Sequence, residues 1–221
     1  MKKILIILFV CVLAGKTSFS QKEFSLATDA NLLRSLKQDQ EYWAVGQTVN
    51  FLFHITPRDG AYAWLSYFSD GKFNNVLTAD AKSSGTIPQQ ITYKNKSQLR
   101  FKHISLGWRR YLKGSPDIEE GWNLYGFAGF GLMIGRVANS RTTNIDTSMY
   151  SVPVLSGTGH FKRLTFDLGV GCEVPVGADV FTYFEARALV PTTDYPSAYL
   201  FVNENAPFTA TVNIGIRILF R

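Results

Sequence analysis

Cysteine is almost missing from this chain. Of its 221 residues only Cys11 and Cys172 carry a thiol. Cys11 falls in a segment that reads as cleaved, so Cys172 has no intramolecular partner and disulfides are not what holds the fold. Helical periodicity is missing too: no apolar pattern of period 3.6 outlasts a turn or two. Beyond residue 20 no apolar run approaches the roughly 18 residues that mark a membrane-spanning helix. Tandem repeats and low-complexity tracts are absent. Charge of one sign is in mild excess, at a formal +6. Lys2, Lys3 and Lys16 supply part of it, and without them the balance falls to about +3, which gives no argument for nucleic-acid binding.

What is present begins with "MKKILIILFVCVLAGKTSFSQ". Two lysines precede an apolar run from Ile4 to Gly15, and small residues follow at Ser18 and Ser20. This is the layout of a secretory signal peptide over 1–20, with cleavage between Ser20 and Gln21. The run of about 12 residues is too short to span a bilayer as a helix. Phe9 and Val10, both bulky, precede Cys11 where a lipid-anchoring site needs small residues. The remainder, 21–221, has the length of one β domain.

At the other end stands "FTATVNIGIRILF", Phe208 to Phe220. Every second residue is apolar, and Leu219 alone breaks the alternation. Strict alternation gives a strand with two chemically different faces. Thirteen residues at about 3.3 Å each make about 43 Å of strand, which at a tilt of about 40° covers roughly 33 Å. That height suits an apolar band about 25 Å tall. Similar stretches are predicted over 23–35, 41–55, 60–69, 97–112, 121–137, 160–174, 179–190 and 207–220. In the fourth, Ile104, Leu106 and Trp108 take one parity and Leu99 and Phe101 the other, which predicts a bulge there.

The connections add a second pattern. "TPRDG" (56–60), "KGSPDIEEG" (113–121) and "PVGAD" (175–179) are short and rich in turn residues. Those at 70–96, 138–159 and 191–206 are long, and only the first, near 36–40, departs from the rule. The expectation is an all-β, eight-stranded antiparallel up-and-down transmembrane barrel, with short periplasmic turns and longer extracellular loops. Trp108, Tyr111, Trp122, Tyr125, Phe181, Tyr183 and Phe220 then cluster at the periplasmic ends as an interfacial girdle. A soluble lipocalin-like barrel shares the strand count but turns its apolar face inward, and alternation alone does not say which face that is.

With these features the chain resembles the small outer-membrane β-barrels of Gram-negative envelopes, of the OmpA/OmpX type. The resemblance is architectural and covers nearly all of 21–221. The last strand also resembles the C-terminal signal read by the barrel-assembly machinery, with Asn213, Gly215, Ile218 and Phe220 in its places. It departs from the commonest form by ending in Arg221. The resemblance implies residence in the outer membrane, contact with its lipid and lipopolysaccharide, and the option of membership in a larger envelope complex.

Chemistry-bearing motifs are few. "GFAGFGLMIG" (126–135) lacks both the following helix and the Gly-Lys-Ser/Thr ending of a phosphate loop, so its glycines read as relief of crowding in a curved sheet. His54, His103 and His160 lie on separate strands and form no metal-ligand cluster; no cofactor is implied. His103 and Ser105 share one strand face and resemble the H-x-S pair of lipid A deacylases of the PagL kind. The Asn-Ala-Gly expected after the serine is replaced by Leu106, Gly107 and Trp108. The nearby acids Asp117, Glu119 and Glu120 lie in a periplasmic turn. No catalytic residue is assigned.

A barrel of eight strands is filled by side chains. Alternation places Arg109, Asp167, Glu173, Glu185, Arg187 and Arg217 in that lumen as a polar network. A turn centred on Gly177 sets Asp167 opposite Arg187, and Gly171 opposite Tyr183. The reading is a non-enzymatic outer-membrane barrel acting through its extracellular loops in structure, adhesion or a complex. The alternatives are a deacylase-like enzyme, a small porin and a soluble lipocalin-like binder. Lys82, Lys94 and Lys96 in 74–97 suit lipopolysaccharide phosphates.

Overall fold

The computed structural model describes residues 23–36, 40–193, 198–199 and 208–221. Residues 1–20, expected to be a signal peptide, and much of the 191–206 connection lie outside the described residues. Nine strands follow in chain order: β1 (Phe24–Ser35), β2 (Trp43–His54), β3 (Asp59–Ala81), β4 (Gln90–Lys113), β5 (Asn123–Arg141), β6 (Tyr150–Ser151), β7 (Gly157–Pro175), β8 (Val180–Pro191) and β9 (Thr209–Phe220). All but the two-residue β6 form one antiparallel ring, which closes where β9 pairs β1 and β2 pairs β3. Within the ring this closure leaves no free edge.

Period-two alternation sorts the side chains. Outward-facing Phe51, Leu106, Phe130, Leu164, Val170 and Ile214 are exposed, while their sequence neighbours are buried or half-buried on the inner face. A monomer that displays so much apolar surface needs an apolar solvent. Phe24 stacks on Phe220 at 4.8 Å across the closing seam. The two parities in β4 need no bulge: Leu99 and Phe101 point inward, and Ile104, Leu106 and Trp108 outward. The register shifts lie elsewhere: in β4 between Tyr111 and Lys113, and in β3 between Phe68 and Gly71, where Asp70 takes a left-handed φ of 57°. Aspartate tolerates that conformation better than most residues.

Three expectations are corrected. First, the polar stretch 70–96 is mostly strand. β3 and β4 continue past the ring as a long hairpin whose tip is only 82–89. Composition suggests a loop, yet Phe73, Asn75, Leu77, Ala79, Tyr93 and Asn95 alternate inward. Leu77, Ala79 and Tyr93 join Ile145, Tyr150 and Val154 in a satellite core, and β6 pairs with the end of β3. Second, the expected girdle divides. Trp108, Trp122 and Phe220 face outward, but Tyr111, Tyr125, Phe181 and Tyr183 are buried in the lumen. Third, the β7–β8 turn is centred on Ala178, since Pro175 pairs Phe181. Moving the centre by one residue moves each partner by two. Asp167 therefore opposes Leu189, and Gly169 opposes Arg187. Faces survive such a shift, whereas partners do not.

Candidate functional site

The lumen is built in layers. Near the turn end, Arg217 from β9 is fully enclosed. Its Nη2 donates to Glu173 Oε1 at 2.8 Å and to the Pro116 carbonyl at 2.8 Å, while Nε donates to Glu173 Oε2 at 3.0 Å. Its Nη1 donates to Ser25 Oγ at 2.9 Å, and the guanidinium lies 3.8 Å over the Phe181 ring. Glu173 also accepts from Asn123 Nδ2 at 2.8 Å and Tyr111 Oη at 3.2 Å.

The next layer centres on Glu185. It accepts from Arg109 Nη2 at 2.6 Å, Arg187 Nη2 at 2.5 Å and Tyr125 Oη at 2.9 Å. Arg187 Nη2 also reaches Asp29 Oδ2 at 2.9 Å. Asp29 accepts in turn from Tyr183 Oη at 2.8 Å and Asn31 Nδ2 at 2.6 Å. Arg109 stacks on Tyr125 at 4.0 Å and Arg187 on Trp64 at 4.5 Å. Three guanidiniums thus meet three carboxylates, each joined by hydrogen bonds, which is what makes buried charge tolerable. Aromatic rings cover the glycines of the wall: a Cβ on Gly171 would stand 2.5 Å from the Tyr125 ring. The cover comes from Tyr125, not from the expected Tyr183, whose ring lies over Gly215. Toward the loop end, Leu33, Tyr42, Phe68, Phe101, Met133 and Phe161 form an apolar plug.

Five of the six expected lumen residues are joined in these contacts, and Asp167 is not among them. The expected Asp167–Arg187 bridge is replaced by Arg187 with Glu185 and Asp29. Asp167 instead lies 3.3 Å from His103 Nε2, and neither of its oxygens completes a hydrogen bond. Asp29 escaped the sequence reading although β1 alternation marks it inward, between Ala27 and Asn31. Of the assembly-signal positions, Asn213 is buried, Gly215 lies under Tyr183, and Ile218 and Phe220 face outward.

The His103–Ser105 pair does not form a hydrolytic relay. Trp64 Nε1 donates to His103 Nδ1 at 3.3 Å, so that nitrogen accepts and Nε2 carries the proton. Nε2 meets both Thr165 Oγ1, at 2.9 Å, and Asp167 Oδ2. A nucleophile–base–acid relay needs the acid and the nucleophile on opposite ring nitrogens; here Asp167 lies at Nε2 beside Thr165, Trp64 occupies Nδ1, and Ser105 Oγ is bonded to neither nitrogen. Ser105 and His103 are both 1% exposed inside the lumen. Asp117 lies in the β4–β5 turn, hydrogen-bonded by Ser115 Oγ at 2.6 Å. Among the described residues no three His, Cys, Asp or Glu side chains gather as a metal site.

No known family profile and no characterised relative matches the sequence. Solved structures do. Neisserial surface protein A superposes with a TM-score of 0.54 at 10% identity, covering 89% of this chain and 97% of that one. A major outer membrane protein from Thermus thermophilus gives 0.52 at 10%, covering 89% and 99%. The attachment invasion locus protein Ail of Yersinia pestis, solved with the heparin analogue sucrose octasulfate, gives 0.50 at 9%, covering 90% and 99%. At such identity the likeness is one of fold: this chain has the architecture of the small eight-stranded outer-membrane barrels.

Proposed function

We propose that the protein is a non-enzymatic outer-membrane barrel, exported by its N-terminal signal peptide and inserted by the barrel-assembly machinery, that works through the surface it raises outside the membrane. The carrying observation is the division of the molecule. The ring is a sealed anchor, with the Glu173–Arg217 and Glu185–Arg109–Arg187 clusters below and the apolar plug above. The β3–β4 hairpin and β6 stand beyond it with a core of their own. A packed lumen of eight strands speaks against a general porin, and the His103 geometry speaks against a deacylase. The turn end, which holds Phe24 and Phe220, faces the periplasm, and the hairpin tip at 82–89 faces outside.

The extension supplies a rigid platform for adhesion, envelope support or an outer-membrane complex. Rigid β-structure presents a surface with little ordering cost on binding. The test has two parts. Outer-membrane protein is run unboiled and boiled, and whole cells are treated with protease. A heat-dependent mobility shift with cleavage confined to 82–89 or the other loop-end connections is expected. Recovery in the soluble periplasm without a shift would restore the lipocalin-like reading.

A further inference from the structure

The outer wall of the barrel is electrically lopsided. Along the outward face of β4, residues Ile104, Leu106 and Trp108 are apolar and exposed, and the next outward positions toward the loop end are Lys102, Arg100, Gln98, Lys96 and Lys94. Neighbouring strands continue the pattern in register. Lys102 pairs Ile134, which pairs Lys162; one rung higher, Arg100 pairs Arg136, which pairs His160. Higher still, Lys72 pairs Gln98 and Asn74 pairs Lys96. On the opposite wall the matching outward residues are Val190 of β8, Phe208 just before β9 and Ala210 of β9, and Arg34 of β1 is bonded to Glu41.

Arg100 and Arg136 break a local rule. Like charges directly opposite across a ladder destabilise a sheet, yet both are exposed and neither forms an ion pair among the described residues. Nearby outward acids are Asp70, engaged by Lys72 at 3.5 Å and Gln98 at 3.3 Å, and Asp80, engaged by Gln90 at 2.9 Å. The wall is also concave here. A cleft of about 140 Å³ is lined by Gln98, Arg100, Arg136 and Ala138. It shares Gln98 and Ala138 with a larger groove of about 410 Å³ that reaches Lys72, Asn74 and Lys96.

We propose that this face binds the phosphate groups of a saccharolipid of the outer leaflet, with Arg100 and Arg136 as the central pair and Lys102, Lys162, Lys72 and Lys96 around them. The inference rests on the membrane reading above and names the partner of that surface. Charge complementarity asks for a polyanion, and position decides which. The lowest cations, Lys102 and Lys162, stand one outward step from Ile104 and Leu164, about 7 Å along the strand. The ligand therefore has its acyl chains against the apolar band and its phosphates at the band's edge. A free polyanion in solution has no reason to favour this level over the exposed Lys82 at the hairpin tip. Guanidiniums suit the task, because their planar donors match phosphate oxygens two at a time.

The test uses the mature chain refolded into phosphatidylcholine nanodiscs, with lipid A as the probe and native mass spectrometry or titration as the readout. Retention of bis-phosphorylated lipid A is expected, falling about tenfold or more on removal of both phosphates or in the R100Q/R136Q variant. K82Q, at the tip, leaves retention unchanged. Both variants keep the heat-dependent gel shift, since these side chains lie outside the barrel's packing. Equal binding by R100Q/R136Q, or equal retention of dephosphorylated lipid, overturns the inference. So does tighter capture of soluble sucrose octasulfate than of lipid A, which would assign the face to a free polyanion. A wild type with no gel shift sinks the membrane reading itself, and this inference with it.

Discussion

Arg217 and Glu173 meet through two hydrogen bonds, at 2.8 and 3.0 Å, with 0% of either side chain exposed. The pair ties β9 to β7 across the lumen and draws in Ser25 of β1 and Pro116 of a turn. Truncating one partner orphans the other. Arg217→Met is expected to cost roughly 3–5 kcal/mol, read as a lower urea midpoint in lipid vesicles. The double change Arg217→Met/Glu173→Leu should lose less than the two single losses added, because no charge remains buried. Strict additivity would show that the two side chains do not act as a pair.

Arg187 holds Glu185 and Asp29 together in the layer above. In planar bilayers the wild type is expected to give no reproducible conductance step, since charged clusters and the Tyr42–Phe101–Phe161 plug fill the lumen. Steady large steps from wild-type protein would refute the sealed-anchor reading. The change Arg187→Ala alone should raise no conductance while the apolar plug stays intact, but it should lower thermal stability.

Lipid A chemistry separates enzyme from anchor. Mass spectra of lipid A from cells with and without the protein are expected to coincide, and Ser105→Ala should change nothing in them. An acyl chain lost only when Ser105 is present would reverse the assignment, and would require the lumen to open to the leaflet.

Gly171→Ala tests the packing of the wall. Its new methyl meets the Tyr125 ring, which Glu185 and Arg109 hold in place. A loss of about 1–3 kcal/mol is expected, measured by urea titration. A neutral result would mean that the ring moves freely and that the network is softer than described.

Outside the membrane, the hydrogen bond from Ser115 holds the Asp117 carboxyl below its ordinary range, against a smaller opposing push from burial. A depressed folded value stabilises the turn above the unfolded value of about 3.9 and loses that gain as pH falls through the folded one. Ser115→Ala should therefore raise the Asp117 titration midpoint by NMR. It should lower stability slightly at neutral pH and not at all at the acid extreme. An unchanged midpoint would show that the hydrogen bond is not what depresses it.

Which residues of a strand share a face was legible along the chain, although Tyr111, Tyr125, Phe181 and Tyr183, read as an outer girdle, lie in the lumen. Alternation put Arg109, Asp167, Glu173, Glu185, Arg187 and Arg217 on one side of their strands, and all six are buried in the lumen. It also put Ile214, Ile216 and Ile218 on the other. Turn residues at 56–60, 113–121 and 175–179 marked one end of the barrel, and connections at 55–58, 114–122 and 176–179 stand there. These are local properties: a strand's period of two is set by its own backbone.

The tertiary structure decided who meets whom. The shift of one turn from Gly177 to Ala178 carried Asp167 from Arg187 to Leu189. Asp29 reached Arg187 only because closure of the ring brings β1 round to β8's side of the lumen. Polar composition hid the β3–β4 extension, because a strand beyond the membrane has no lipid to demand an apolar face, and its inward Leu77, Ala79 and Tyr93 find their partners Ile145, Tyr150 and Val154 in a distant segment. A strand's faces follow from its own residues, but its partners depend on turn geometry and stagger accumulated around the ring, which no single stretch of sequence contains.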